Sequence, residues 1–224
     1  DMYNTAVGHG AGSSVTTGVL NTLVGGLAGD ALTTGDNNIA IGYQALSGDT
    51  QGDRNVAVGI QALLSQNFTS STDVYNTAVG FAAGASITTG VQNTLIGGRS
   101  GDSLTDADFN VAMGFEALAA DTLGSKSTAI GFQALQDQNF TSATDSLNTA
   151  MGYRAGANVT TGIKNTLIGG LAGDAITTGA NNVVLGFEAL STNTASNGNV
   201  AIGYEALEAF NVTSDTTTFN TAVG

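Results

Sequence analysis

Asn55-Val56-Ala57-Val58-Gly59 follows Asn38-Ile39-Ala40-Ile41-Gly42 and precedes Asn76-Thr77-Ala78-Val79-Gly80. The shared pattern is Asn, then Thr/Val/Ile, then Ala/Leu/Val, then an aliphatic residue or Met, then Gly. It starts at residues 4, 21, 38, 55, 76, 93, 110, 127, 148, 165, 182, 199 and 220, with Ser127 the one departure from asparagine. The spacings run 17, 17, 17, 21, and this set occurs three times. Four coils therefore make a larger, 72-residue repeat, spanning 4–75, 76–147 and 148–219, with a fourth opening at 220–224.

That period selects the fold class. Helical repeats need about 33–47 residues to hold two helices, and propeller blades about 40–50. Seventeen residues suit one coil of two short strands joined by two tight turns. Such coils stack about 4.8 Å apart, so thirteen of them predict a rod roughly 60 Å long. The expectation is all-β: a parallel β-solenoid forming a single segment over 1–224, with no separate domains.

Within the motif the period is two, as a strand demands. The second and fourth positions carry Thr5/Val7, Ile39/Ile41 or Val200/Ile202, and the third is mostly alanine. Leu23, Leu95 and Leu167 replace that alanine in the second coil of each four-coil repeat, and Val184 replaces it in the third coil of the last. Both faces are apolar, which predicts that both are covered, one by the coil's own core and one by a neighbouring chain. Small alanines suit a surface where chains approach closely; a narrow coil could instead turn alanine inward for lack of room. The closing glycine marks a corner of positive φ or close backbone approach. Asparagine tolerates left-handed backbone, and its amide can stack on its counterpart one coil away. Ser127 lacks the amide, so a weaker corner is expected there.

The residue four past the glycine alternates in pairs: Gly12 and Gly29, then Leu46 and Leu63. The glycine coils carry Thr-Thr-Gly turns at 16–18, 33–35, 88–90, 160–162 and 177–179. Each fourth coil is longer than the other three, which predicts loops protruding near 65–75, 137–147 and 209–219.

Composition agrees with this reading. The chain has 32 glycines, no proline, no cysteine and only 10% charged residues. Collagen is excluded, because glycine shows no third-residue period. The net charge of −13 leaves five cations and no basic cluster, which argues against nucleic acid and against an anionic membrane surface. No apolar run approaches the roughly 20 residues of a membrane-inserted helix. Asp1-Met2-Tyr3 reads neither as a start nor as a signal peptide, and both ends are open coils, so a middle piece of a longer chain is expected.

Motifs such as Asn55–Gly59 and Asn199-Val200-Ala201-Ile202-Gly203-Tyr204-Glu205-Ala206-Leu207 resemble two families. One is the head repeat of trimeric autotransporter adhesins, a left-handed parallel β-roll of three side-by-side chains, although the coil of that family is shorter than the one here. The other is the Asn-Thr-Ala-Ile-Gly type repeat of tailed-phage fibres, marine and cyanobacterial ones especially. Thr-Thr-Gly and Gly-Gly-Leu-Ala-Gly-Asp (25–30, 169–174) are more similar to the phage group. This resemblance implies a homotrimeric shaft in a virion tail or capsid fibre, a viral structural protein joined to neighbouring fibre segments. Host attachment, to a surface glycan or receptor, would belong to other domains. The alternative is a bacterial surface adhesin or extracellular filament that binds through the three enlarged loops.

Chemistry-bearing residues are few, and no catalytic, cofactor-binding or metal site is expected. The single histidine, His9, sits where later coils carry Phe81 and Tyr153, so it reads as a surface substitution and not as a catalytic base. Asp30, Asp102 and Asp174 recur after Gly-Gly-x-x-Gly; calcium is one reading of them, and a solvated Asx-type turn is preferred. Tyr43, Phe81, Phe115, Phe132, Tyr153, Phe187 and Tyr204 share the position after the glycine, where packing is preferred over carbohydrate binding. The paired threonines lapse in two coils of every four, which disfavours an ice-binding array. The Asn-x-Thr sequons at 67, 139, 158 and 211 matter only in a glycosylating host. The sequence thus predicts a structural fibre segment and not an enzyme.

Overall fold

The structure, a computed structural model, describes residues 2–224 and contains strands and turns with no helix among them. Two compact units are distinguished, one running to Asn110 and the other from Val111 to Gly224. The boundary falls one residue into a motif, with no change of composition there. Each unit is a parallel β-solenoid.

Every motif supplies one three-residue strand. In the first unit these are Thr5–Val7, Thr22–Val24, Ile39–Ile41, Val56–Val58, Thr77–Val79 and Thr94–Ile96. In the second they are Val111–Met113, Thr128–Ile130, Thr149–Met151, Thr166–Ile168, Val183–Leu185, Val200–Ile202 and Thr221–Val223. Pairing within each unit is parallel and in register, so Ala57 lies beside Ala78 and Ala150 beside Leu167. The second strand expected in every coil is absent from most of them. Two-residue strands pair only at the long coils: Gly52–Asp53 with Thr72–Asp73, Gly124–Ser125 with Thr144–Asp145, and Ser196–Asn197 with Thr216–Thr217. Elsewhere that side is turn, yet its backbone still bonds to the next coil, as in Thr16 N–H to Thr33 C=O at 2.9 Å and Gly12 N–H to Ala28 C=O at 3.0 Å. Stacking therefore satisfies the backbone groups without extended geometry.

The faces of the strand are settled by the narrowness of the coil. Ala40, Ala57, Ala78, Ala112, Ala129, Ala150 and Ala201 are completely buried, so the alanine row points into the core. The aliphatic second and fourth positions point outward, leaving Ile39, Ile41, Val183 and Leu185 about 40% exposed. Placing the alanines at a surface between chains is thereby corrected: a coil this short has room inside for a methyl group and little more.

Core volume explains the four-coil repeat. The backbone four residues past the glycine is left-handed in every coil type, with φ near 58° at Gly12 and 53° at Leu46. Where Leu23 enters the core, this position is glycine in its own coil and the one before. A Cβ on Gly12 would stand 2.7 Å from Leu23 Cδ1, and one on Gly29 2.8 Å from Leu23 Cδ2. Leu95 and Leu167 impose the same requirement on Gly84, Gly101, Gly156 and Gly173. Where the strand carries alanine or valine and no leucine follows, Leu46, Leu63, Leu118, Leu135 and Leu190 fill the space in spite of the unfavourable φ. Close packing fixes the sum of the two side chains, not either one alone.

The corners are built by glycine and asparagine together. Gly25 and Gly42 sit at φ 134° and 137°, and a Cβ on either would fall on the carbonyl of the next coil's glycine. The motif asparagines form a ladder: Asn38 N–H donates to Asn21 Oδ1 at 2.9 Å, and Asn38 Nδ2 donates to Gly52 C=O at 2.9 Å. The left-handed residue is not the motif asparagine but the one before it, such as Leu20, Arg54, Tyr75 or Lys164. The amide must lie inside the coil to reach both partners, so the turn is made one position earlier. At Ser127 the missing amide is replaced by hydroxyl contacts, with Ser146 Oγ bonded to Ser127 Oγ and Gln138 Nε2 donating to it at 2.8 Å.

Candidate functional site

Two features stand out from this regular frame, one outside and one inside. On the outside, the exposed aliphatic row is flanked by the aromatic row. Phe115, Phe132 and Tyr153 form a continuous stack with ring centroids 5.8 and 5.5 Å apart and planes within 15°. Phe187 and Tyr204 form another pair at 5.9 Å. The distances follow from one ring per coil on a stacked backbone. Within each stack neighbouring rings cover one another's inner faces, and with Met113, Met151 and Leu185, each 40% or more exposed, they make an outward apolar surface. The Tyr204 phenol is pushed above its usual pKa by its hydrogen bond to the Glu205 carboxylate and by that charge. His9 is exposed at the same position in the first coil.

On the inside, the long coils hold a buried polar network that the sequence reading missed. Asp49 is fully buried and accepts three hydrogen bonds: from Gly52 N–H at 3.1 Å, Phe68 N–H at 3.0 Å and Gln66 Nε2 at 2.6 Å. Gln66 Oε1 accepts in turn from Asn76 Nδ2 at 2.9 Å, tying the network to the asparagine ladder. Asp121, Gln138, Phe140 and Asn148 repeat the arrangement. Burial pushes the Asp121 carboxyl above its usual pKa, opposed by the bonds from Gln138, Phe140 and Gly124. The available signal was positional. At the same offset from the motif asparagine, the glycine coils carry Leu32, Ile87 or Leu104 in the core, and the leucine coils carry Asp49, Gln66, Asp121 or Gln138.

This network anchors the enlarged loops. Phe68 and Phe140 are buried just beyond it, and Val74 is buried at the far end of the first loop, so the exposed part is confined to residues such as Thr69, Ser70 and Ser71. At the far ends of the loops, Asp73 pairs with Arg54, which lies 5.6 Å from the Tyr75 ring centroid, and Asp145 pairs with Lys126.

The remaining predicted candidates are separate from one another. Asp30 accepts from Ser47 Oγ at 2.6 Å, and Asp102 pairs with Arg99 at 3.1 Å. Asp174 has one buried carboxylate oxygen without a partner, and desolvation pushes its pKa up. Among the described residues no three His, Asp or Glu side chains converge as metal ligands would. The first threonine of several Thr-Thr-Gly turns spends its hydroxyl on the stack, as Thr33 Oγ1 does on Thr50 C=O at 3.0 Å. No helix is long and apolar enough to cross a membrane among the described residues.

Comparison of the chain with protein-family models, with curated proteins and with solved structures gives no match. Function is therefore read from the coil itself.

Proposed function

We propose that the chain is a shaft segment of a phage tail or capsid fibre, assembled as a homotrimer, with a structural and not a catalytic role. It spaces a host-recognition tip, carried by other domains or neighbouring segments, from the particle. The observation that carries this reading is the outward apolar surface: the aliphatic side chains of every strand are presented at a fixed interval along each unit, with stacked aromatic rings beside them in the second. An apolar patch of this regularity marks an interaction surface. A second and a third copy of the same chain offer the same interval, so each row meets a row. The in-register stack supports a mechanical role, because every coil is held by backbone bonds to its neighbours and hides its own sheet edge.

Sedimentation equilibrium at low micromolar concentration tests the assembly. The expected mass is three times the 22.2 kDa of one chain, and a stable monomer overturns the trimer. Antibody labelling in electron microscopy tests the location. Label along fibres of a virion is expected, whereas label confined to a bacterial surface would identify an adhesin in place of a phage fibre.

A further inference from the structure

The three four-coil repeats place three equivalent corners on the protein, and these differ in the residues that fill them. In the first, Arg54 fills the corner, paired with the Asp73 carboxylate and lying over the Tyr75 ring. In the second, Lys126 fills it, paired with Asp145. The third has Gly198 where the cation stands and Thr217 where its carboxylate partner stands. A carboxylate and an aromatic ring are nevertheless present, as Asp215 and Phe219.

At this third corner, where no long side chain stands, lies a cleft of about 370 Å³, lined by Thr178, Asn181, Asn197, Asp215, Thr217 and Phe219 among others. Asp215 is held in place by Asn197, whose Nδ2 donates to Asp215 Oδ1 at 2.6 Å. Asn197 is itself fixed, since its Oδ1 accepts from Ala180 N–H at 2.7 Å. Phe219 lies against the Gly198 backbone, where a Cβ would meet the ring at 2.9 Å. The cleft therefore has an oriented carboxylate, an aromatic face, hydroxyl and amide groups on its walls, and no cation among the residues that line it.

We propose that this cleft binds a cationic group supplied from outside the chain, an alkylguanidinium or alkylammonium, in the place that Arg54 and Lys126 fill in the other two corners. The chemistry is that of the internal template: the charge pairs with Asp215 while the alkyl or guanidinium plane covers the Phe219 ring. A protein carrying a net charge of −13 also draws cations toward it at low ionic strength. Because the site is open to solvent the affinity is modest and falls with salt. The fitting ligand is a free amine or guanidine, or an arginine or lysine side chain of a partner.

The test is a titration of the full chain with N-butylguanidinium and with an acetylated arginine amide, followed through the NMR signals of the Thr217 and Thr178 methyl groups and the Phe219 ring. Saturable shifts at one site per chain are expected, absent with 1-butanol and with methyl glucoside. Tighter binding of the amide identifies a partner side chain as the source. Asp215→Asn should weaken binding at least tenfold. Gly198→Lys should also weaken binding, because its side chain occupies the corner and its Cβ pushes the Phe219 ring aside; Lys126, at φ 63°, is the precedent for a lysine in that backbone conformation. Arg54→Gly should create a second binding site, at Asp73 and Tyr75. Shifts that persist in Asp215→Asn, an unchanged stoichiometry in Arg54→Gly, or shifts produced equally by the neutral ligands would each overturn the proposal.

Discussion

The long-coil regions at 121–140 and 193–212 occupy equivalent positions and solve the same problem differently. In the first, a buried aspartate and a buried glutamine satisfy each other and two backbone N–H groups. In the second, Asn193 replaces the aspartate and Phe210 the glutamine. Asn193 Oδ1 still accepts from Ser196 N–H at 3.0 Å, but its Nδ2 is buried without a partner. Ser196 Oγ takes over the bond to the ladder, accepting from Asn199 Nδ2 at 2.8 Å. The loop that follows has fewer ties to this region, since Asn193 accepts one bond where Asp121 accepts three. A charge-assisted network holds its loop through several bonds at once, and losing one member releases the rest.

This contrast can be broken from either side. The largest effect is expected for Asp121→Ala, which strands the N–H groups of Gly124 and Phe140 and the Gln138 amide. At about 1–3 kcal/mol for each buried unsatisfied group, several kcal/mol of stability should disappear. Asn193→Ala strands one N–H and removes an amide that is already unpartnered, so its loss should stay within about 1–3 kcal/mol. Chemical denaturation of the two variants measures both, and equal losses would refute the idea that the network is the stronger anchor.

Conversion of the weak region into the strong one should give a smaller effect. Asn193→Asp alone buries a charge with one bond, and Phe210→Gln alone gives up apolar burial. Together they recreate the pair, so a double-mutant cycle should return a favourable coupling of about 0.5–3 kcal/mol. A coupling near zero would mean that the glutamine does not reach the carboxylate in this region.

The smallest effect is the dependence on pH. Burial raises the Asp121 pKa in the folded protein above the ordinary value of 3.8, so the folded state holds this proton more tightly than the unfolded one. The resulting contribution to stability is present below that ordinary value and is lost as pH rises through the higher folded pKa. Thermal midpoints compared across that window should therefore decline more steeply with rising pH in the native chain than in Asp121→Asn. Identical slopes would show that the hydrogen bonds cancel the cost of desolvation.

Much of this was legible in the residues themselves. The repeat of Asn, apolar residues and Gly required a strand at each motif, and the fixed glycine required a corner that no Cβ can enter. The ladder of amides was also readable, because identical side chains on stacked coils must meet. The direction of the strand faces was not. Ala57 and Val56 are both apolar, and only the narrowness of the coil turns the alanine inward and the valine out. The Asp49–Gln66 pair was equally hidden, since a carboxylate in a repeat reads as solvated until the fold closes a loop over it. The Arg54 corner and its Gly198 counterpart lie between segments a full coil apart in the chain, which become neighbours only when coils stack.

The sequence by itself determined the period, the coil and its stacking register, because each is a local pattern repeated along the chain. Only the tertiary structure decided what is inside, since burial depends on the space left after every coil has closed. The outward apolar surface, the buried carboxylates and the open third corner are all consequences of that space.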